Sequence, residues 1–153
     1  MLRERFTDAL KEAMKARNAL VTSTVRLIIA KLQEHDIEAR PKNRPDGIDE
    51  PQIQQMLQGM IKQRRESIAL YEQGKRIDLA DKERAEIAIV ETFLPRQMSD
   101  SEAETAIREI VRETGAAGVK DMGKVMAAIR ERYTGRLDNA KASAIVKKLL
   151  VSG

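Results

Sequence analysis

Apolar residues return at spacings of three and four along almost the whole chain, the signature of helices with one buried face. Leu2, Phe6, Ala9, Leu10, Ala13 and Met14 form the first stripe. Val21, Val25, Ile28, Ile29 and Leu32 form the second, which opens near Asn18. The rhythm breaks at 40–51, RPKNRPDGIDEP, where prolines and an Asp-Gly pair predict a loop. Asp49 then predicts the cap of a long helix with Pro51 in its first turn. Its inward face is Ile53, Met56, Leu57, Met60, Ile61, Ile68 and Tyr71, and Gly74 is expected to end it.

Asp78 is expected to cap a shorter helix running through Ile87, Val90 and Phe93, stopped by Leu94-Pro95. Ser99 and Glu102 spell a capping box, S-x-x-E. The helix it opens carries Ala103, Ile107, Ile110 and Val111 and ends at Gly115. Asp121 is expected to cap the next, with Met122, Val125, Met126, Ile129 and Tyr133 inward and Gly135 beyond its end. Asp138 is expected to cap the last, over Ala142, Ile145, Val146, Leu149 and Leu150. No segment alternates with period two for long enough to make a strand. The fold class is therefore all-α. The segment LPRQMS at 94–99 is the sharpest break, dividing an N-terminal helical domain, 1–95, from a compact three-helix domain, 96–153.

Composition narrows the chemistry. The 153 residues suffice for one domain or two small ones. Cysteine is absent, which excludes a disulfide framework, thiolate chemistry and a cysteine-based zinc site. The opening MLRERF is charged and lacks the apolar core of a secretory leader. The longest aliphatic run, LIIA at 27–30, is far too short to span a bilayer. A soluble, cytoplasmic protein with no membrane partner is expected. The net charge of +4 is mild, but its distribution is not even. Residues 120–153 carry five more basic than acidic side chains, whereas 98–119 carry three more acidic than basic ones. The C-terminal end is thus a candidate anion-facing surface.

One stretch imitates a nucleotide site. GVKDMGKV, 118–125, places Gly118, Gly123 and Lys124 as a phosphate-binding P-loop would, but ends in Val125 where a magnesium-holding Ser or Thr belongs. A helix end precedes it in place of a strand, and Asp121 would set a carboxylate among the phosphates. An inter-helix turn with a capped helix start is the simpler reading. Gly123 still needs a reason, since glycine lowers helix stability by about 1 kcal/mol relative to Ala. Two remain open: close packing against the preceding helix, which Asp121 favours, or close approach of a phosphate to an exposed helix start beside Lys124.

No catalytic constellation is legible, and neither a metal nor a cofactor is expected. His35 is the sole histidine, near a helix end among Glu34, Asp36 and Glu38, so neither a triad nor a two-histidine zinc site can be built. Glu83 with Glu86, and Asp78 with Asp81, share helix faces, but Lys82 and Arg84 beside them make a solvated ion-pair face the commoner outcome. What is present is basic surface. Lys120 and Lys124 lie on one face, Arg130 and Arg132 follow in the same helix, Arg136 succeeds Gly135, and Lys141, Lys147 and Lys148 lie off the last apolar stripe. These side chains either contact phosphates or only solubilise the helices. A second cluster, Lys62, Arg64 and Arg65, has acidic partners within reach in Glu66 and 78–86. Phe6, Tyr71, Phe93 and Tyr133 fall on or beside apolar stripes, which disfavours base stacking and suits a folded RNA held by its phosphates.

The stretches KQRRESIALYEQGKRIDLADKERAEIAIVETFLPRQMS (62–99) and KDMGKVMAAIRERYTGRLD (120–138), with KEAMKARNALVTSTVRLIIA before them, resemble the GatB/YqeY family and in particular its stand-alone YqeY-like proteins. The resemblance covers essentially the whole chain. It implies an N-terminal helical domain joined to a helical domain like the tail of GatB, a subunit of the tRNA-dependent amidotransferase. That tail helps hold tRNA and performs no chemistry. The family label of carbon–nitrogen ligase activity with glutamine as amido-N-donor would then be inherited, because the catalytic parts have no counterpart here. Gly123, Lys124, Met126 and Gly135 match the tail motif, whereas Ala127 and Ala128 stand where a glycine commonly follows the methionine. The expectation is a non-catalytic protein binding tRNA or structured RNA through Lys120, Gly123, Lys124, Arg130, Arg136, Lys141, Lys147 and Lys148. The alternatives are an accessory module docking on an amidotransferase component or an aminoacyl-tRNA synthetase, and a glutamine-dependent ligase in its own right.

Overall fold

A computed structural model describes residues 1–152. Its helices are α1 (Leu2–Lys15), α2 (Ala19–Ala39), α3 (Glu50–Gln73), α4 (Ile77–Glu91), α5 (Asp100–Thr114), α6 (Met122–Tyr133) and α7 (Asn139–Ser152), with short 3-10 turns at Arg40–Lys42 and Val119–Asp121. No strand occurs among the described residues, so the all-α class holds. The chain forms two compact units, Met1–Leu94 and Pro95–Gly153.

The first unit, α1 to α4, closes over Phe6, Val25, Ile28, Ile53, Leu57 and Val90, each almost fully buried. Phe6 meets Phe93 edge-on with ring centroids 4.9 Å apart, which ties the chain entry to the end of α4. Two starts follow the sequence closely. Asn18 accepts from the Val21 amide to cap α2, and Asp49 with Gln52 forms a full capping box on α3. Between these helices, the Asp36 carboxylate gathers three parts of the unit. It accepts two bonds from the Arg3 guanidinium, at 2.8 and 2.9 Å, and one from the Ile48 amide at 2.9 Å. Arg3 also donates to the Ile48 carbonyl at 2.8 Å. Gly47 makes this possible. Its φ is +90°, and a Cβ built there would lie 2.2 Å from the Asp36 carboxylate.

The second unit packs α5, α6 and α7 around Ile107, Ile110, Val125, Ile129 and Val146. Ser99 and Glu102 form the capping box on α5, and Gly115 closes that helix in the left-handed conformation at φ 68°. The turn after α6 is tied to the residues before α5. The Met98 amide donates to the Arg136 carbonyl at 2.9 Å, and Arg136 Nε donates to the Arg96 carbonyl at 3.1 Å.

Four expectations need correction. Asp78 does not cap α4, which opens with Arg76 as its cap residue; the Asp78 carboxylate is drawn to the Arg76 guanidinium at 3.1 Å. Gly74 does end α3, but at φ −81° and not in the left-handed C′ role, which Lys75 takes at φ 57°. Met14, at the end of α1, is 52% exposed, because its stripe outruns the core it faces. Asp121 occupies the cap position of α6 but makes no side-chain bond to it, as the next section explains.

Candidate nucleic-acid interface

The basic residues of the second unit fall into two sets. Lys141 forms an ion pair with Asp100 at the start of α5. Lys148 lies near enough to Glu104 for its charge to help, after the Arg108 side chain, in holding that carboxyl below its usual range. Arg132 pairs with Glu113 at 2.6 Å. Arg136 is half-buried, bonded to the Arg96 carbonyl, with its guanidinium 6.0 Å from the Tyr133 ring centroid. The basic surplus at the C-terminal end is thus met in part by the acidic surplus of α5. Nothing in the linear pattern announced these pairs, since each joins residues on different helices.

Lys120, Lys124, Arg130 and Lys147 form the second set and are exposed. Lys120 stands in the 3-10 turn before α6 and Lys124 in the first turn of α6 itself. Between them, Gly123 faces open space: a Cβ there would meet no atom within 4 Å, and the same is true of Gly118. The packing explanation for Gly123 is therefore overturned. The helix keeps a glycine at an exposed position where alanine would fit.

Asp121 keeps a negative charge beside these lysines, and its geometry shows what the carboxylate holds. Its carboxylate turns back to accept the Ala117 amide at 2.9 Å. That bond foremost, then the Gly118 amide and the charges of Lys120 and Lys124, hold the carboxyl below its usual range, with slight burial opposing. The acid thus fastens the α5–α6 turn rather than satisfying the first amides of α6. The result is a helix start with two exposed lysines and one exposed glycine, Gly123, while Gly118 is half-buried ahead of the 3-10 turn. The two ammonium groups give this helix start the charge to attract an anion.

The other basic cluster is a fold element. Arg64, on α3, donates from Nε to Glu86 at 3.0 Å and lies 3.8 Å from Glu83, with all three side chains largely buried. Arg65 pairs with Glu91 at 3.4 Å. Among the described residues, no group of three or more His, Cys, Asp or Glu side chains is placed to hold a metal ion.

Comparison with known proteins gives the chain its relatives. It is 32% identical over 95 residues to "Altered inheritance of mitochondria protein 41, mitochondrial" of Candida glabrata, covering 62% of this chain and 50% of that protein. The protein of the same name from Vanderwaltozyma polyspora is 28% identical over 119 residues, covering 74% of this chain and 62% of its own length. That of Clavispora lusitaniae is 26% identical over 147 residues, covering 94% and 81%. The chain thus spans about half to three fifths of the first two relatives. These names overturn the expectation of a cytoplasmic protein, for the relatives are named as mitochondrial. A charged opening and a short aliphatic run say nothing about an organelle. Residues 3–150, nearly the full length, match the model of one family, and the chain belongs to it: the Yqey-like proteins.

Proposed function

We propose that the second unit binds structured RNA, with tRNA the foremost candidate, and that the protein acts as a binding module. The observation that carries this reading is the open start of α6. Lys120 and Lys124 are exposed, and Gly118 and Gly123 leave room for a sugar-phosphate backbone to come close. Arg130 and Lys147 extend the cationic surface. Contacts of this kind position a nucleic acid by its phosphates and carry no base sequence. The resemblance of 120–138 to the amidotransferase tail supports the same reading. Lys141, Lys148 and Arg136 contribute less, because each already holds a partner within the unit.

The test is a titration of the full chain into fluorescent tRNA at several salt concentrations, with a duplex RNA of matched length as control. Affinity is expected to fall steeply with salt, as counterions return to the phosphates, and tRNA is expected to be preferred. Substituting Lys120 and Lys124 together by alanine is expected to weaken binding about tenfold, the loss of two phosphate contacts at about 0.7 kcal/mol each. Weak binding that does not distinguish the two RNAs, or is indifferent to the double substitution, would sink the reading. So would glutamine turnover by the pure protein.

A further inference from the structure

The first unit carries a groove of about 440 Å³ between α2 and α3. Its floor includes the thioethers of Met56 and Met60, which are almost fully buried. Gln55 and Gln63 bring exposed amides to one wall, and Lys31 and His35 bring nitrogen groups from the other helix. No acidic side chain lines it. Glu34 lies beside it and reaches Lys31 at 3.5 Å, an exposed pair of the weak i,i+3 kind.

Gly59 lines the same groove, and packing does not explain it. It lies in the middle of α3, where glycine weakens a helix relative to alanine. Its φ is not left-handed, and a Cβ there would meet no atom within 4 Å. Nothing inside the unit uses the missing side chain. What its absence does is lower the groove wall, so that an incoming main chain can lie against α3.

We propose that this groove docks an acidic peptide segment of a partner protein. An apolar side chain of the partner seats on Met56 and Met60, whose flexible thioethers adapt to its shape. The partner's peptide groups pair with the Gln55 and Gln63 amides, which offer both donors and acceptors. Its carboxylate lies against the Lys31 ammonium, which gives the site its charge preference, with the His35 ring beside it. A peptide fits better than a nucleotide because the lining contains no Phe, Tyr or Trp on which a base could stack, whereas the gap at Gly59 suits a main chain. The inference is independent of the RNA reading, since the two sites lie in different units.

The test uses the full chain with its methionine methyl groups labelled with carbon-13. The probe is the acetylated, amidated pentapeptide Leu-Glu-Leu-Glu-Leu, compared with its glutamine-for-glutamate isostere. Saturable shifts of the Met56 and Met60 signals are expected, with Met122 and Met126 unmoved and the isostere bound about tenfold more weakly. Gly59→Leu is expected to abolish these shifts while raising the melting temperature, because a strong helix former replaces glycine at an open position. That combination separates blocked docking from a damaged fold. Lys31→Ala with His35→Ala is expected to bring the acidic peptide down to the affinity of the isostere. The proposal is overturned if the peptide gives no saturable shift at millimolar concentration, if Gly59→Leu leaves the shifts intact, if the isostere binds as well, or if adenosine or uridine monophosphate binds the groove in preference.

Discussion

The two units use their charged residues differently. In the first, two arginines reach partly or largely buried acids beside several exposed ion pairs: Arg3, Asp36 and Ile48 lock a loop to two helices, and Arg64 joins Glu86 between α3 and α4. In the second, the ion pairs lie on the surface, and the α6 start leaves two lysines exposed. The same residue types therefore hold the fold at these points of one unit and stand exposed at the α6 start of the other. Composition does not separate these roles. Burial and partner geometry do.

The contrast can be broken hardest at Gly47. Replacing it by valine forces a side chain into the space of the Asp36 carboxylate at a left-handed φ. A loss of about 4 kcal/mol is expected, at the severe end for a point substitution. Chemical denaturation would check it, and a loss below about 1 kcal/mol would mean that the Asp36 node is not rigid.

Glu86→Ala comes next. It leaves Arg64, whose side chain is only 12% exposed, with Glu83 at 3.8 Å as its remaining acid and the Met60 carbonyl at 3.4 Å. A loss of about 2–3 kcal/mol is expected, below the range for fully buried pairs because some solvent remains. Replacing both partners by apolar residues of similar volume, Arg64→Met with Glu86→Leu, should recover most of it. If the double variant is no better than the single one, the pair does more than neutralise charge.

Asp36 sharpens the comparison through pH. The Arg3 guanidinium foremost, and the Ile48 amide with it, hold its carboxyl below the usual range against an opposing burial effect. A carboxyl whose folded value is depressed stabilises the fold fully above its unfolded value of about 3.9, and this is lost as pH falls toward the folded value. Wild type should therefore lose stability below about pH 4 more steeply than Asp36→Asn, which should itself be about 2 kcal/mol less stable at pH 7. Parallel pH profiles for the two proteins would remove the role given to the carboxylate.

Ser99→Ala probes the second unit and deletes one half of the α5 capping box. The expected loss is about 1 kcal/mol, read as a shift in the unfolding midpoint. The smallest effect on stability is expected from Lys120→Ala with Lys124→Ala, within about 0.5 kcal/mol of wild type, although RNA affinity falls. A large loss of stability there would place these lysines with the fold-holding charges of the first unit and erase the contrast.

Much of the architecture was legible along the chain. The apolar stripes place Phe6, Val25, Ile53, Leu57, Ile107, Val125 and Val146 in their cores. Asn18, Asp49 and Ser99 cap as their local sequence requires. These features depend on residues within about one helical turn of each other, which is what a linear reading resolves. Asp78 and Asp121 look the same in the sequence but point elsewhere, one to Arg76 and one to the Ala117 amide. A cap residue follows the better partner, and the chain alone does not say which partner is nearer.

The sequence by itself thus determined a helical protein with two apolar cores and a basic C-terminal end. The tertiary structure decided which charges are committed. It paired Lys141 with Asp100 at the start of α5, turned Arg136 into a tie across a turn, and buried Arg64 against Glu86. It also showed that Gly123 and Gly59 are left open rather than packed. The reason is physical. Helical periodicity is set by local geometry, whereas an ion pair or an open glycine depends on which side chains other helices bring within a few ångströms.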